Sequence, residues 1–236
     1  MVSTLYRIGE AQNDVQALSE AVEGARELLR LSPRRGDPDT WAGAQWRLGN
    51  ALRHLGEVSR DRGILQEAAL AFQGALEVYT REHEPVYWVW LQNNLGNALR
   101  LQTEFGDRRT LSRAIECYRL ALSGADRATH LDQWIAVQAN LAISLRMQGG
   151  EANIEESILT LRDVVALRDR RRTPGPWAYA QLQLARSLAA GTQREPSRRD
   201  EAIVAARAAE TMFNRLGQPT LLGESRELLA QLGGSR

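Results

Sequence analysis

The sequence predicts an all-α protein built from antiparallel helix pairs that stack in a row. Four related segments begin at a tryptophan, at Trp41, Trp88, Trp134 and Trp177, and successive copies are 47, 46 and 43 residues apart. A second apolar pattern with helical spacing follows each copy, and the alternation typical of strands is missing. Because one such pair cannot bury its apolar face alone, neighbouring pairs must supply the rest of the core.

The first helix of each repeat starts at its tryptophan. The segments read WAGAQWRLGNALRHLGE, WVWLQNNLGNALRLQTE, WIAVQANLAISLRMQGG and WAYAQLQLARSLAAGTQ. In each, Gln follows the Trp by four residues, Leu by seven, a small residue by eight and Leu by eleven, which gives the helix one apolar face. We interpret the tryptophans as packing residues between repeats. The small residue, which is Gly49, Gly96, Ala142 or Ala185, is expected to let the partner helix approach closely.

The second helices follow as LQEAALAFQGAL from Leu65, LSRAIECYRLAL from Leu111 and IEESILTLRDVV from Ile154, with weaker copies from Leu18 and Arg199. Turn-forming stretches rich in Pro, Gly and Asp separate the repeats. The predicted organisation is a single repeat domain, 1–236. Its parts are a partial repeat at 1–32, repeats at 39–81, 86–126, 131–170 and 175–215, and a capping helix at 219–233.

Two central repeats carry Leu-Gly-x-x-Leu in the first helix and Ala-x-x-x-aromatic-x-x-Ala in the second. The matching residues are Leu48, Gly49, Leu52, Ala68, Phe72 and Ala75, and then Leu95, Gly96, Leu99, Ala114, Tyr118 and Ala121. This combination resembles the tetratricopeptide repeat family over most of the chain, although the period is longer than is usual there. The resemblance implies a right-handed α-solenoid whose first helices line a concave, peptide-binding groove.

Composition narrows the class of protein. The net charge of +1 gives no reason to expect a nucleic-acid or membrane partner. All 30 basic residues are arginine, which we interpret as a sign of a bacterial source with a GC-rich genome. Cys117 is the single cysteine, so an intramolecular disulfide is excluded and a reducing compartment fits. With no apolar signal core or membrane-length apolar run, we expect a cytoplasmic protein.

A polar and aromatic stripe runs along the first helices, separate from their apolar face. Asparagine amides can hold the backbone of an extended peptide, arginines can fix a carboxylate, and the aromatic rings can receive an anchor residue. The candidate partner-binding residues are Trp46, Arg47, Asn50, Arg53, Trp90, Asn93, Asn94, Asn97, Arg100, Asn140, Arg146 and Arg186. We expect Asn97 and Arg100 to be exposed. In the alternative interpretation, Asn50 and Asn97 only brace adjacent first helices, and the arginines are solvated side chains.

Catalytic motifs are missing from the sequence. Without lysine there is no phosphate-binding loop, and no GxGxxG or GxSxG motif occurs. His54, His83 and His130 lie far apart in sequence, so neither a metal site nor a cofactor is expected. The leading hypothesis is a non-catalytic interaction module for a peptide or partner segment bearing acidic residues or a C-terminal carboxylate. The alternatives are a regulatory or sensor domain of a larger effector protein, and a self-assembling structural module.

The N-terminal edge is predicted to be incomplete. Alignment of Leu18 with Leu65 places Met1 in the middle of a first helix. Four apolar residues of the following helix, Ala21, Val22, Ala25 and Leu28, are therefore expected to be partly uncovered. We expect this edge to be covered by an upstream domain or by a second copy in a homodimer.

Overall fold

The computed structural model describes residues 2–191 and 197–233, and within these ranges it contains α-helices, one 3-10 turn and no strand. The helices are α1 (Val2–Gln12), α2 (Val15–Leu31), α3 (Pro38–Ser59), α4 (Arg62–Leu76), α5 (Pro85–Glu104), α6 (Leu111–Gly124), α7 (Leu131–Gln148), α8 (Glu151–Leu167), α9 (Pro174–Gly191), α10 (Arg198–Leu216) and α11 (Pro219–Gln231), with the 3-10 turn at Arg108–Thr110. The all-α prediction is confirmed. The predicted position of Met1 lies outside the described residues.

The helices begin and end where the sequence carries capping residues. The Asp14 carboxylate accepts hydrogen bonds from the backbone amides at the start of α2, and Asp61 does the same for α4. Pro38 and Pro85 occupy the first turns of α3 and α5, where the missing N–H costs nothing. Gly217 ends α10 in the left-handed conformation, with φ of 63°. Short turns therefore fold each first helix back onto its second helix.

The chain forms two compact units, 1–130 with α1 to α6 and 131–236 with α7 to α11. In the first unit, α3 neighbours both α1 and α5 in one layer, while α2, α4 and α6 form the other. No Cα atom of α4 lies within 8 Å of a Cα atom of α2 or α6. By contrast, some Cα atoms of α3 and α5 lie within 8 Å of each other. The first helices are thus the more tightly spaced layer of this unit. That all 236 residues form one repeat domain stays a prediction.

Close approach within a helix pair explains the small residue of the repeat. A methyl group on Gly49 of α3 would lie 2.6 Å from Cε1 of Phe72 on α4, and one on Gly96 of α5 would lie 2.7 Å from Cε1 of Tyr118 on α6. Both rings are fully buried. The expectation of close approach is therefore confirmed for these two repeats.

The first two of the repeat tryptophans, Trp41 and Trp88, contact the second helix of their own repeat. A methyl on Gly74 of α4 would lie 3.4 Å from Cη2 of Trp41, and one on Gly124 of α6 would lie 2.7 Å from Cζ3 of Trp88. Each ring therefore packs against the last turns of the second helix in its own repeat. These contacts lie within one repeat, and the packing of the two tryptophans between repeats stays a prediction.

Arginines in the turns that precede the first helices lie over the tryptophan rings. The guanidinium carbon lies 5.2 Å from the ring centroid for Arg34 over Trp41, 5.7 Å for Arg81 over Trp88 and 4.9 Å for Arg170 over Trp177. In each pair the arginine precedes the tryptophan by seven residues, so the sequence carries a signal for this contact that the repeat pattern alone does not include.

The N-terminal edge is better covered than expected. Ala21, Val22 and Ala25 are buried, and Val2 packs against Gly24, so α1 covers this part of α2. The expectation that these three residues are uncovered is wrong, because a half-length helix is enough to cover them. Leu28, one turn further along α2, is only half-buried.

Candidate functional site

The predicted asparagines form a hydrogen-bonded ladder on the first compact unit. Nδ2 of Asn94 on α5 donates to Oδ1 of Asn50 on α3 over 3.1 Å, and Nδ2 of Asn93 donates to Oδ1 of Asn94 over 3.4 Å. Asn97 accepts a hydrogen bond of 2.8 Å from the hydroxyl of Tyr118 on α6. Asn50 thus connects the adjacent first helices α3 and α5, as the alternative interpretation expects. Asn97 instead connects α5 with α6, the second helix of its own repeat.

Two arginines of the stripe, Arg53 and Arg100, are paired along their own helices. Nη1 of Arg53 lies 3.1 Å from Oε2 of Glu57, and Arg100 pairs in the same register with Glu104. Their side chains are only 17% and 16% exposed. Asn97 is also half-buried, so the expectation that Asn97 and Arg100 are exposed is wrong. Each arginine extends along the helix surface to pair with a glutamate one turn further on, and this pairing reduces the exposure of its side chain.

A histidine and a tyrosine that the sequence analysis did not select complete this polar surface. The Tyr6 hydroxyl donates to Oε1 of Glu10 over 2.8 Å, and burial together with this carboxylate raises the pKa of Tyr6 to about 12. The rings of Tyr6 and His54 meet edge to face at 6.4 Å. Both ring nitrogens of His54 are buried without a hydrogen-bond partner among the described residues. Burial, followed by the positive charge of Arg53, lowers the pKa of His54, so the imidazole is neutral.

Aromatic residues gather where α3 and α5 begin. The ring centroids of Trp46 and Tyr87 are 5.4 Å apart, and Tyr87 stacks on Tyr79 at 5.1 Å. The Tyr79 hydroxyl donates to the backbone oxygen of Asp39 over 2.9 Å, which fixes the cluster. Trp46 is half-buried, whereas Tyr87 and Trp90 are 39% and 38% exposed. The available anchor surface is therefore on α5, and Tyr87 belongs to it although the helical stripe did not include it.

Arg47 lies apart from the asparagine ladder. Its side chain is exposed and lines a separate cavity at the N-terminal end of the first unit. The stripe had included Arg47 because its position on α3 is equivalent to that of Asn94 on α5. One residue step turns a side chain by about 100° round a helix, so adjacent residues can serve different surfaces.

In the second compact unit, two predicted arginines meet at one cavity. Arg146 of α7 and Arg186 of α9 line a cavity of about 370 Å³ together with Glu224 and Glu227 of α11. Nη2 of Arg186 lies 2.8 Å from Oε2 of Glu224. The glutamates come from the capping helix, which lacks the repeat signature, so nothing in the repeat pattern pointed to them. Asn140 is half-buried on α7 and is absent from the cavity lining.

The described parts of the chain carry neither a metal-binding cluster nor a membrane-spanning helix. Within residues 2–191 and 197–233, no cluster of three or more His, Cys, Asp or Glu side chains is placed to hold a metal ion. None of the described helices combines the length and the apolarity needed to cross a bilayer. Cys117 is buried, and burial raises the pKa of its thiol to about 11, so it stays protonated near neutral pH.

No protein-family model and no curated protein matches this sequence. Solved structures are similar to it. The nearly identical TPR-like repeats assigned to a kinesin light chain of Podosopora anserina match with a TM-score of 0.57 and 18% identity, over 92% of this chain and 93% of that chain. BtubC (BKLC) from P. vanneervenii matches with a TM-score of 0.54 and 14% identity, over 95% of this chain and 93% of that chain. The chain therefore has the fold of the tetratricopeptide-like repeat proteins.

Proposed function

We propose that this protein is a non-catalytic interaction module that binds an extended peptide segment of a partner along α3 and α5. The observation that carries the proposal is the asparagine ladder beside exposed aromatic rings. A carboxamide can make up to about four hydrogen bonds, and the ladder uses only one or two at Asn50 and Asn94. The remaining capacity is suited to the regularly spaced amides of a peptide backbone, while Trp90 and Tyr87 receive one apolar anchor.

The charge pattern refines the kind of peptide. Arg53 and Arg100 already have carboxylate partners in Glu57 and Glu104, so an acidic ligand residue must displace one of these glutamates. Such an exchange of one ion pair for another yields little net energy at a partly solvated surface. In this unit the peptide is therefore held mainly by its backbone and its anchor residue. An acidic side chain or a C-terminal carboxylate adds specificity.

A selection from a displayed peptide library, followed by titration of the winners, tests this proposal. Trp90→Ala and Asn94→Ala should each weaken binding by about ten-fold, as loss of an interface anchor does. Leu120→Ala on α6 is the matched control, because Leu120 is 39% exposed but belongs to the second-helix layer. Equal affinity in wild type, Trp90→Ala and Asn94→Ala would place peptide binding elsewhere.

A regulatory domain is the second candidate function, and one contact favours it. Glu224 of α11 pairs with Arg186, so a carboxylate of the chain itself occupies an arginine that we selected for binding a partner. An acidic partner segment would compete with α11 for this arginine. Glu224→Gln should then increase the affinity of the second unit for an acidic peptide, measured by titration, and an unchanged affinity would remove the support.

The single buried Cys117 supports the further proposal of a cytoplasmic location.

A further inference from the structure

A cavity of about 420 Å³ opens in the second compact unit, where the turn before α9 meets the end of α10. Its volume is within the range of ordinary small-ligand sites, roughly 300–1,000 Å³. The described residues that line it are three arginines and three apolar residues: Arg170, Arg171, Pro174, Met212, Arg215 and Leu216. Among the described residues, no aspartate or glutamate belongs to this lining. The cavity therefore combines positive charge with an apolar wall.

The three arginines of this cavity have no carboxylate partner in the described parts of the chain. The guanidinium carbon of Arg170 lies 4.9 Å from the centroid of the Trp177 ring, and this contact orients the side chain. The side chains of Arg171 and Arg215 make neither a hydrogen bond nor an ion pair with the residues that the structure describes. The end of α10 and the start of α9 both reach the cavity, and their partial charges of about −0.5 and +0.5 cancel.

The carboxylates close to these arginines in the sequence are already engaged. Oδ1 of Asp169 accepts hydrogen bonds from the backbone amides of Arg171 and Arg172 over 2.7 and 3.3 Å, and Oδ2 lies 3.7 Å from Nε of Arg172. Glu210 of α10 pairs with Arg226 of α11 over 2.9 Å. The guanidinium groups at the cavity therefore keep their donors available for a ligand.

The corresponding turns of the first compact unit show how the chain satisfies such an arginine itself. Arg34 pairs with the carboxylate of Glu77, just beyond the end of α4. Nη2 of Arg81 donates to the backbone oxygen of Ser123 near the end of α6 over 2.7 Å. In the second unit the last turn of α10 instead presents Arg215, which has the same charge as the arginines of the turn. An acceptor that two repeats supply internally is therefore missing from the described lining of this cavity.

We propose that this cavity binds a phosphomonoester that carries an apolar organic group. A phosphomonoester has a charge of about −1.5 to −2 at pH 7 and three acceptor oxygens, one for each arginine, whereas a carboxylate has a single charge. Met212 and Leu216, which are 3% and 37% exposed, form the wall against which the organic group packs. The site shares no residue with the asparagine ladder and goes beyond the peptide-binding function.

Phenyl phosphate is the probe for this site, because it joins a phosphate to one apolar ring. Calorimetric titration of the full 236-residue chain at pH 7.5 should show saturable binding. Arg171→Gln and Arg215→Gln should each weaken binding at least about five-fold, as loss of a charge-assisted hydrogen bond does. Both variants should fold, since both side chains are exposed.

Arg35→Gln is the matched control. Arg35 precedes its repeat tryptophan by six residues, as Arg171 does, and it is exposed and belongs to the first compact unit. This variant should bind phenyl phosphate as wild type does. Trp90→Ala and Asn94→Ala should also leave this binding unchanged, which separates failure here from failure of the proposed function.

Related probes test the chemistry of the ligand. Inorganic phosphate lacks the apolar group and benzoate lacks the second charge, so each should bind at least about five-fold more weakly than phenyl phosphate. Binding of phenyl phosphate should weaken from pH 7 to pH 5, because the phosphate takes up a proton with a pKa of about 6 while the arginines stay charged. A phosphotyrosine peptide that binds more tightly than phenyl phosphate would identify a protein side chain as the source, and a weaker one would identify a free small phosphate.

Three results would overturn the proposal. The first is the absence of saturable binding of phenyl phosphate. The second is wild-type affinity in both Arg171→Gln and Arg215→Gln, which would place the anion elsewhere on the chain. The third is benzoate that binds as tightly as phenyl phosphate, because the site would then not select a phosphate.

Discussion

Replacing Gly96 with alanine tests the close packing of α5 against α6. The added methyl would lie 2.7, 2.9 and 3.0 Å from three atoms of the Tyr118 ring. That ring is fully buried, and its hydroxyl is held by Asn97 over 2.8 Å, so it has little room to move. Overpacking of this kind costs about 1–3 kcal/mol, and a rigid neighbour puts the cost near the upper end. Alanine recovers about 1 kcal/mol of helix propensity, so we expect a net loss of about 2 kcal/mol.

The same substitution at Gly223 is the matched control. Gly223 lies within α11, is exposed, and has no atom within 4 Å of an added methyl. Gly223→Ala should therefore stabilise the protein by about 0.5–1 kcal/mol through helix propensity alone. Urea unfolding followed by circular dichroism at 222 nm gives both values, provided that the slope with denaturant is unchanged. If Gly96→Ala is as stable as wild type, the close-approach argument is wrong.

A double-mutant cycle sharpens this test. The third full repeat has Ala142 at the position of Gly96 and Leu161 at the position of Tyr118. Gly96→Ala should thus cost little in a Tyr118→Leu background, because the smaller side chain makes room for the methyl. An equal cost in both backgrounds would show that contact with the tyrosine ring does not determine the effect.

Three further predictions concern the polar surface and the core. Asn97→Ala should lower the free energy of unfolding by about 1–2 kcal/mol, since it removes the hydrogen bond that the Tyr118 hydroxyl donates to Asn97; an unchanged urea midpoint would contradict this. The pKa of His54 is lowered in the folded protein, so the unfolded chain binds the proton more tightly. The free energy of unfolding should therefore fall as the pH drops through the ordinary pKa of histidine. Melting between pH 7.5 and 5.5 should therefore depend less on pH in His54→Phe, and equal slopes would refute this. Leu99→Ala should cost about 2–5 kcal/mol in urea unfolding, as buried truncations do, and a cost below about 1 kcal/mol would show that α5 is not packed here.

The helix pairs could be predicted from the sequence because their signature reports packing. Leucine at fixed intervals marks the buried face, and a small residue such as Gly96 marks the place where a large ring such as Tyr118 approaches. These features depend only on spacing along the chain. Repetition within one sequence made them recognisable without any relatives.

The candidate site was harder to predict, because exposure depends on where side chains turn. Arg100 lies on the expected stripe, yet its side chain extends along the helix surface to pair with Glu104 and is therefore mostly buried. The spacing that pairs Arg53 with Glu57 repeats at Arg100 and Glu104, so this signal was present in the sequence. The meeting of Arg186 with Glu224 was not predictable, since α11 has no repeat signature from which its register could be inferred.

The arginines in the turns of the first compact unit have a consequence for how the stack unfolds. Besides covering Trp41 and Trp88, Arg34 pairs with Glu77 just beyond α4, and Nη2 of Arg81 donates to the backbone oxygen of Ser123 over 2.7 Å. Each turn thus contacts the C-terminal end of the second helix in the repeat that follows it. Such contacts couple nearest neighbours in a linear array of repeats. A guanidinium does not lose its proton in the physiological range. The part of the coupling that these arginines supply should therefore be nearly constant over the physiological pH range, and fraying should proceed in steps of whole repeats.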